Sequence, residues 1–376
     1  MIKLLVAGDY CDNHRVSHLI NKENYDDLFG NVKDYIAEHD IKVVNFEFPI
    51  ASANAVPIMK DGPVLSGQDK SVTAIAYAGF NVCTLANNHI KDQGHKDCLY
   101  TRDKIRENGI QTVGVGENLD EANSVLYIKH GEETVAIINC CENEFSIAKE
   151  NEAGACPVDP ISQYSQITEA RAKADYVVVI SHGGHEFFQL PPKSMKKRFH
   201  YYVDLGADLV INHHQHCYSG YEEYKGRYIF YGLGNFLFDW NGKREKNWYE
   251  GFLLSIKLDH KITFELQPYT QCVEEPTIAF MEVNEKKNFQ NKILELNRII
   301  SDDSVLEHKL SQYYKSCNRD ILLKFEPYNG KVLNKIYYMG LTPSLLNHRK
   351  LLAILNYIQC ESHREKILTI LKERLQ

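Results

Sequence analysis

Short apolar runs in this chain break off repeatedly at a carboxylate, an amide or an imidazole. Residues 2–7 run into Gly8-Asp9, and residues 41–46 into Asn45-Phe46-Glu47-Phe48-Pro49. Residues 81–85 lead to Asn87-Asn88-His89, and 176–180 to Ser181-His182-Gly183-Gly184-His185-Glu186. Residues 208–211 lead to Asn212-His213-His214-Gln215-His216. Each ending has an ordinary reading when taken alone: Asp9 as a turn residue, Asn87 and Asn88 as loop caps, His182 as a core histidine, Glu47 as a solvated charge. Taken together they constrain the fold. Buried charged groups need partners, and loops converge at the carboxyl edge of an α/β sheet. Carboxylate, amide oxygen and neutral imidazole form a donor set for Mn, Fe, Zn or Ni.

The histidine run sharpens this expectation. Side chains at i and i+2 of an extended segment point the same way. His214 and His216 are therefore expected to aim at one point, with His213 facing the opposite side.

The alternation of β-branched runs with amphipathic stretches predicts an α/β domain with a buried central sheet. Helices are expected over 32–38, 70–78, 98–108, 161–172 and 195–205, and a strand pair over 125–129 and 134–139. After His216 the pattern changes to antiparallel strands at 218–225, 227–231, 251–258 and 262–267. Beyond residue 276 the chain reads as helical and charged, over 285–300, 305–314 and 344–375. The expected domains are 1–275 and 276–376. With 376 residues, 44% of them hydrophobic, the chain can bury a large core.

Other function classes are disfavoured. A net charge of -7 does not suit a general nucleic-acid surface, although residues 193–198 form a local basic patch. No apolar run reaches the length of a membrane span. The first seven residues are too short an apolar stretch for a signal peptide, so a cytoplasmic location is expected. The 10 cysteines include no Cys-x-x-Cys pair and read as reduced, mostly buried thiols.

Further motifs complete an ordered set. Asp92-Gln93-Gly94 follows His89, Val113-Gly114-Val115-Gly116 follows Gly109-Ile110, and Tyr231-Gly232-Leu233-Gly234-Asn235-Phe236-Leu237-Phe238-Asp239 follows the histidine run. Over residues 2–265 this series resembles the bacterial capsule-synthesis CapA family, also called the poly-gamma-glutamate capsule family, which is related to calcineurin-like metallophosphoesterases. The resemblance implies an α/β, four-layer αββα sandwich of metallophosphoesterase type, with a mainly helical C-terminal extension of unknown role.

It also implies roles. Two divalent metals about 3.5–4 Å apart would share Glu47. Asp9 and His216 would hold the first metal, and Asn88, His182 and His214 the second. His89 would be the general acid beside them. Asp92 and Glu186 would orient His89 and His182, and Asn45, Asn235 and Asp239 would brace the site. The reaction implied is attack by a dimetal-activated hydroxide on a phosphoester, or on the amide of a capsule or poly-gamma-glutamate substrate. That substrate would be a small molecule or an anionic polymer, with Lys60 and Arg15 as candidate contacts.

This chain departs from the family pattern at several positions. A His-Trp-Gly motif is usual where His182-Gly183-Gly184 stands, and Asn212, Gln215 and Cys217 also differ. Related phosphoesterases carry a histidine where this chain has Cys11, which leaves Cys11 as either a ligand or an inert core thiol. These departures support an alternative from another class, a non-catalytic capsule assembly protein with a degenerate metal site. A third reading has the C-terminal helices docking a biosynthetic partner.

Overall fold

A computed structural model describes residues 1–328 and 330–375. The chain divides into two compact units, Met1–Leu306 and Glu307–Gln376.

The first unit opens with β1 (Ile2–Cys11), then α1 (His14–Asn21), α2 (Tyr25–Phe29), α3 (Val32–Ala37), β2 (Ile41–Phe46), α4 (Lys70–Ala78) and β3 (Val82–Thr84). Next come α5 (His95–Glu107), β4 (Gln111–Val113), β5 (Val115–Gly116), α6 (Leu119–Ala122), β6 (Leu126–His130), β7 (Glu133–Cys141) and β8 (Gly154–Ala155). α7 (Pro160–Lys173), β9 (Tyr176–His182), α8 (Lys193–Leu205) and β10 (Leu209–His213) follow. The unit closes with β11 (Tyr221–Tyr224), β12 (Arg227–Phe230), β13 (Asn235–Phe238), β14 (Glu250–Leu258), β15 (Thr263–Gln271), β16 (Ile278–Phe280) and α9 (Val283–Ser301).

Most strands form two mixed sheets, and β5 pairs with β8 in a small third one. The first has the order β16-β15-β14-β1-β2-β3-β4, with β13 lying against the end of β1. The second has the order β11-β12-β10-β9-β7-β6. Alternation along β1 sends Leu5 and Ala7 into a core with Val16, Ile20, Leu28, Val32, Val72 and Ile75 of the flanking helices. Leu4, Val6, Val43 and Val82 are buried on the opposite face. Helices α7 and α8 cover the second sheet at β7, β9 and β10. Each large sheet thus has one face under helices, and the remaining apolar faces meet in an αββα sandwich.

Local signals explain why these helices begin where they do. Asp159 caps α7 by accepting from the backbone of Ile161 and Ser162, with Pro160 in the first turn. A capping box of Glu282 and Glu285 starts α9. That helix buries Phe289, Ile293, Leu296 and Ile300, one stripe at helical spacing. Phe289 packs 4.9 Å from the Tyr218 ring and 5.7 Å from Phe252. The strands thus run past the boundary expected at residue 275, to Phe280, and the compact unit continues to Leu306.

The second unit contains most of α10 (Asp303–Leu323), then α11 (Lys331–Tyr338), α12 (His348–Gln359) and α13 (Glu361–Leu375). The single helical stretch expected over 344–375 is interrupted at Cys360, where extended backbone separates α12 from α13. Among the described residues no helix is long and apolar enough to cross a membrane. All ten cysteines are free thiols. The basic patch on α8 is partly neutralised: Lys196 is buried against the Ile300 carbonyl and Asp303, and Arg198 pairs with Glu142.

Candidate metal centre

Strand register sets the first side of the site. Asp9 stands opposite Asn45 of β2 and Asn235 of β13. The approach of β13 requires Gly8, where a Cβ would lie 1.8 Å from the Gly234 carbonyl oxygen. In the second sheet His182 pairs with both Cys141 and His213. The two sheets are joined at this edge. Asn139 of β7 accepts from the backbone of Leu85 and Ala86 at 3.1 and 2.7 Å, and donates to Ile180 at 3.0 Å. Gly114 leaves room for that contact, since a Cβ there would meet the Asn139 amide oxygen at 2.1 Å.

Two sets of ligand atoms come together within 4.8 Å: those of Glu47, His182 and His214, and those of Asp9, Glu47 and His216. Glu47 belongs to both. Asn88 adds its amide oxygen to the first set, 3.0 Å from His182 Nε2, and His214 Nδ1 lies 3.1 Å from the same nitrogen. Glu47 Oε1 is 3.5 Å from His182 Nε2 and 3.7 Å from His216 Nε2. Asp9 is fixed by the Asn45 amide at 2.8 Å and the His214 backbone N–H at 3.2 Å. Asn235 accepts from or faces His216 Nδ1 at 2.9 Å, which leaves Nε2 towards Glu47.

The histidine run converges for a different reason from the one expected. β10 ends at His213, and the next histidines leave extended backbone: His214 has φ 93° and His216 φ 53°. Left-handed residues of this size are uncommon and concentrate at functional sites. The turn aims both rings inward and points the His214 N–H at Asp9. His213 does not face away either, since its Nδ1 is 3.4 Å from Asp9 Oδ1.

Other expected residues fall elsewhere. Asp92 does hold His89, with Oδ2 2.6 Å from Nδ1, and Lys60 donates to Asp92 at 2.8 Å with its side chain almost fully buried. Lys60 therefore belongs to the His89 network and is not an exposed substrate contact. Glu186 is exposed, and the His182 nitrogens face Asn45 and Asn88 instead. Asp239 accepts from Arg15 through its backbone N–H, Nε and Nη2 at 2.8–2.9 Å, and Arg15 also donates to the Cys272 carbonyl. That clamp secures the chain after β13, so Arg15 is committed within the fold. Cys11 is fully buried and joins neither ligand set, and burial drives its thiol well above the ordinary range.

Two further amides, Asn87 and Asn212, support the site. Asn87 ties the His89 loop to β2, donating to the Phe46 carbonyl and accepting from the His89 N–H. Asn212 donates to the carbonyls of Gly183, His213 and Tyr231. Their only signal was an amide placed at the end of a buried strand.

The electrostatics fit a cation. Both carboxylate oxygens of Glu47 are buried without a hydrogen-bond donor. Burial, then the Asp9 charge, pushes the Glu47 carboxyl far above its usual range. Burial raises Asp9 to about 7 against the pull of Asn45 and the His214 N–H. Burial also lowers His214 to about 4, and burial with neighbouring imidazoles takes His182 and His216 well below their usual value. Neutral imidazole nitrogens and an orphaned carboxylate are the donors a divalent ion needs, and its charge would reverse the carboxyl shifts.

Comparison with known proteins identifies the chain at the level of family. The sequence signature of the family described as "Bacterial capsule synthesis protein PGA_cap" matches residues 3–240. The chain is 31% identical over 254 residues to "Capsule biosynthesis protein CapA" of Bacillus anthracis, a match covering 65% of this chain and 62% of that protein. It is 30% identical over 244 residues to "PGA biosynthesis protein CapA" of Bacillus subtilis, covering 64% of each. The match thus spans less than two-thirds of either Bacillus relative. Among solved structures, it is similar to a novel phosphatase of Mycoplasma pneumoniae, with 15% identity and a TM-score of 0.44 over 76% of this chain and 96% of that one.

Proposed function

The chain belongs to the bacterial capsule synthesis family PGA_cap, and from that premise we propose that it is a metal-dependent hydrolase. Its substrate is a phosphoester or a gamma-glutamyl amide of the capsule-related class. The observation that carries this reading is Glu47, buried with both oxygens unsatisfied and shared by two ligand sets.

In this reading Asp9, Glu47 and His216 would hold one divalent ion, and Glu47, Asn88, His182 and His214 would hold a second. When bound, such ions polarise the scissile group and lower the pKa of water. The protein's own residues do the rest. Asn45 and Asn235 fix the orientation of Asp9 and His216. His89 lies outside both ligand sets. Asp92 takes its Nδ1, so Nε2 is the atom available to pass a proton to the leaving oxygen or nitrogen. Burial lowers the His89 pKa, and the Asp92 carboxylate offsets only part of that shift. Lys60, bound to Asp92, fixes the far side of that pair.

The test is metal analysis of purified protein together with assays on p-nitrophenyl phosphate, bis-p-nitrophenyl phosphate and gamma-glutamyl peptides with added Mn. Bound divalent metal and turnover of at least one substrate are expected. Metal-free protein that turns over none of them would leave the non-catalytic assembly role as the better reading.

A further inference from the structure

The eleven-residue connection between β13 and β14 builds a second feature beside the metal centre. It is pinned at both ends, at Asp239 by Arg15 and at the Trp248 carbonyl by Asn235 and Gln271. Between these anchors Arg244 lies under three aromatic rings. Its guanidinium carbon is 4.6 Å from the Trp240 ring centre, 5.0 Å from Trp248 and 5.2 Å from Phe187. Two of those rings touch the metal centre directly. Phe187 stacks on His216 at 6.0 Å, and Trp248 lies 5.2 Å from the same imidazole. Arg244 is therefore one ring away from a proposed metal ligand.

The aromatic contacts occupy the faces of the guanidinium and leave its N–H groups at the edge. Those donors are unused. Among the described residues no acceptor receives a hydrogen bond from the Arg244 side chain, and Nε is buried without a partner. Trp248 Nε1 in the same cluster is a second buried donor without an acceptor. An arginine that only packed would be expected to satisfy these groups with a carboxylate or carbonyl, as Arg15 does. Phe187 is 47% exposed and sits at φ 62°, so the cluster opens to solvent on its side. A planar fork of donors held by rings suits a two-oxygen anion.

We infer that Arg244 is a specificity-determining residue that binds an oxyanion of the substrate, a carboxylate or a phosphate, one ring outside the metal centre. This rests on the hydrolase reading above and adds the charge of the group that the substrate must carry.

The two tryptophans of the chain, Trp240 and Trp248, both lie against Arg244, so their fluorescence reports its occupancy without any assay of turnover. Full-length protein is titrated with inorganic phosphate and separately with glutarate. Wild type should give a saturable change with at least one, and the responding probe distinguishes phosphate from carboxylate. Arg244→Gln, at equal metal content, should bind that probe at least tenfold more weakly. Arg244→Lys, which keeps the charge but loses the fork, should retain the fold and fall between them. For any substrate turned over, Arg244→Gln should raise KM with kcat little changed. No saturable response in wild type, or equal affinity in all three proteins, would overturn the assignment. An Arg244-dependent response in protein without metal or turnover would leave the oxyanion site standing and remove the hydrolase reading instead.

Discussion

Asn235 faces His216 Nδ1 at 2.9 Å and donates from its amide nitrogen to the His216 and Trp248 carbonyls. One side chain thereby sets both the ring and the backbone of a proposed ligand. Asn235→Leu should weaken metal binding by roughly 10–100-fold, the usual effect of losing such a brace. Competition with a chromogenic chelator measures it, and wild-type affinity would show that His216 needs no support.

Glu47→Gln addresses the shared carboxylate. Bound metal should fall further than the roughly 10–100-fold typical of supporting residues. In chelator, however, the variant should melt at or above the wild-type temperature, because it replaces a buried carboxyl that has no donor with a neutral amide. A lower melting temperature in chelator would mean that Glu47 is satisfied in the metal-free fold.

His89→Ala should reduce turnover by about 10²–10⁴-fold, the usual worth of a positioned acid. Metal content should stay at the wild-type level. Loss of metal in this variant would make His89 a ligand.

Cys11→Ala tests the departure from related phosphoesterases. Cys11 is buried but stands in neither ligand set. Stability should fall by about 1 kcal/mol through lost packing, with metal stoichiometry unchanged on elemental analysis. A drop in stoichiometry would bring the thiol into the site.

Glu152 supplies a pH signature away from the centre. Burial alone would raise its pKa, but Lys149 and Lys91 pull it down to about 2 from an ordinary 4.5. A depressed carboxyl contributes stability above its unfolded pKa and loses it as the pH falls through the folded value. Glu152→Gln should therefore flatten the decline in urea midpoint between about pH 4.5 and pH 2. An unchanged slope would show that the lysines do not hold it.

The residues at strand ends were legible because burial and polarity conflict there, and a fold resolves that conflict only by bringing such groups together. Asp9, Glu47, His182 and His214 could be read in this way. The route by which His214 and His216 converge could not, since it depends on left-handed backbone that no residue type in His213-His214-Gln215-His216 announces. Arg15 and Lys60 were both read as open cations, but their acceptors, Asp239 and Asp92, are 224 and 32 residues away in sequence. The Arg244 cluster was hidden in part for the same reason: Trp240 and Trp248 share its loop, but Phe187, the ring that links it to His216, comes from a distant segment. Helix α9 looked like the start of the tail because its charge is visible in sequence, whereas the stripe that docks on Tyr218 and Phe252 is narrow.

Asp9 and Asn45 come from one sheet and His182 and His214 from the other, so a cation held among them would act as a rivet through the seam of the sandwich. Folding and metal uptake then become a single linked equilibrium, and ion at about 1,000 times its dissociation constant would add about 4 kcal/mol to the stability of the whole unit. A chelator should accelerate amide exchange along β2 and β9 together, although these strands lie in different sheets.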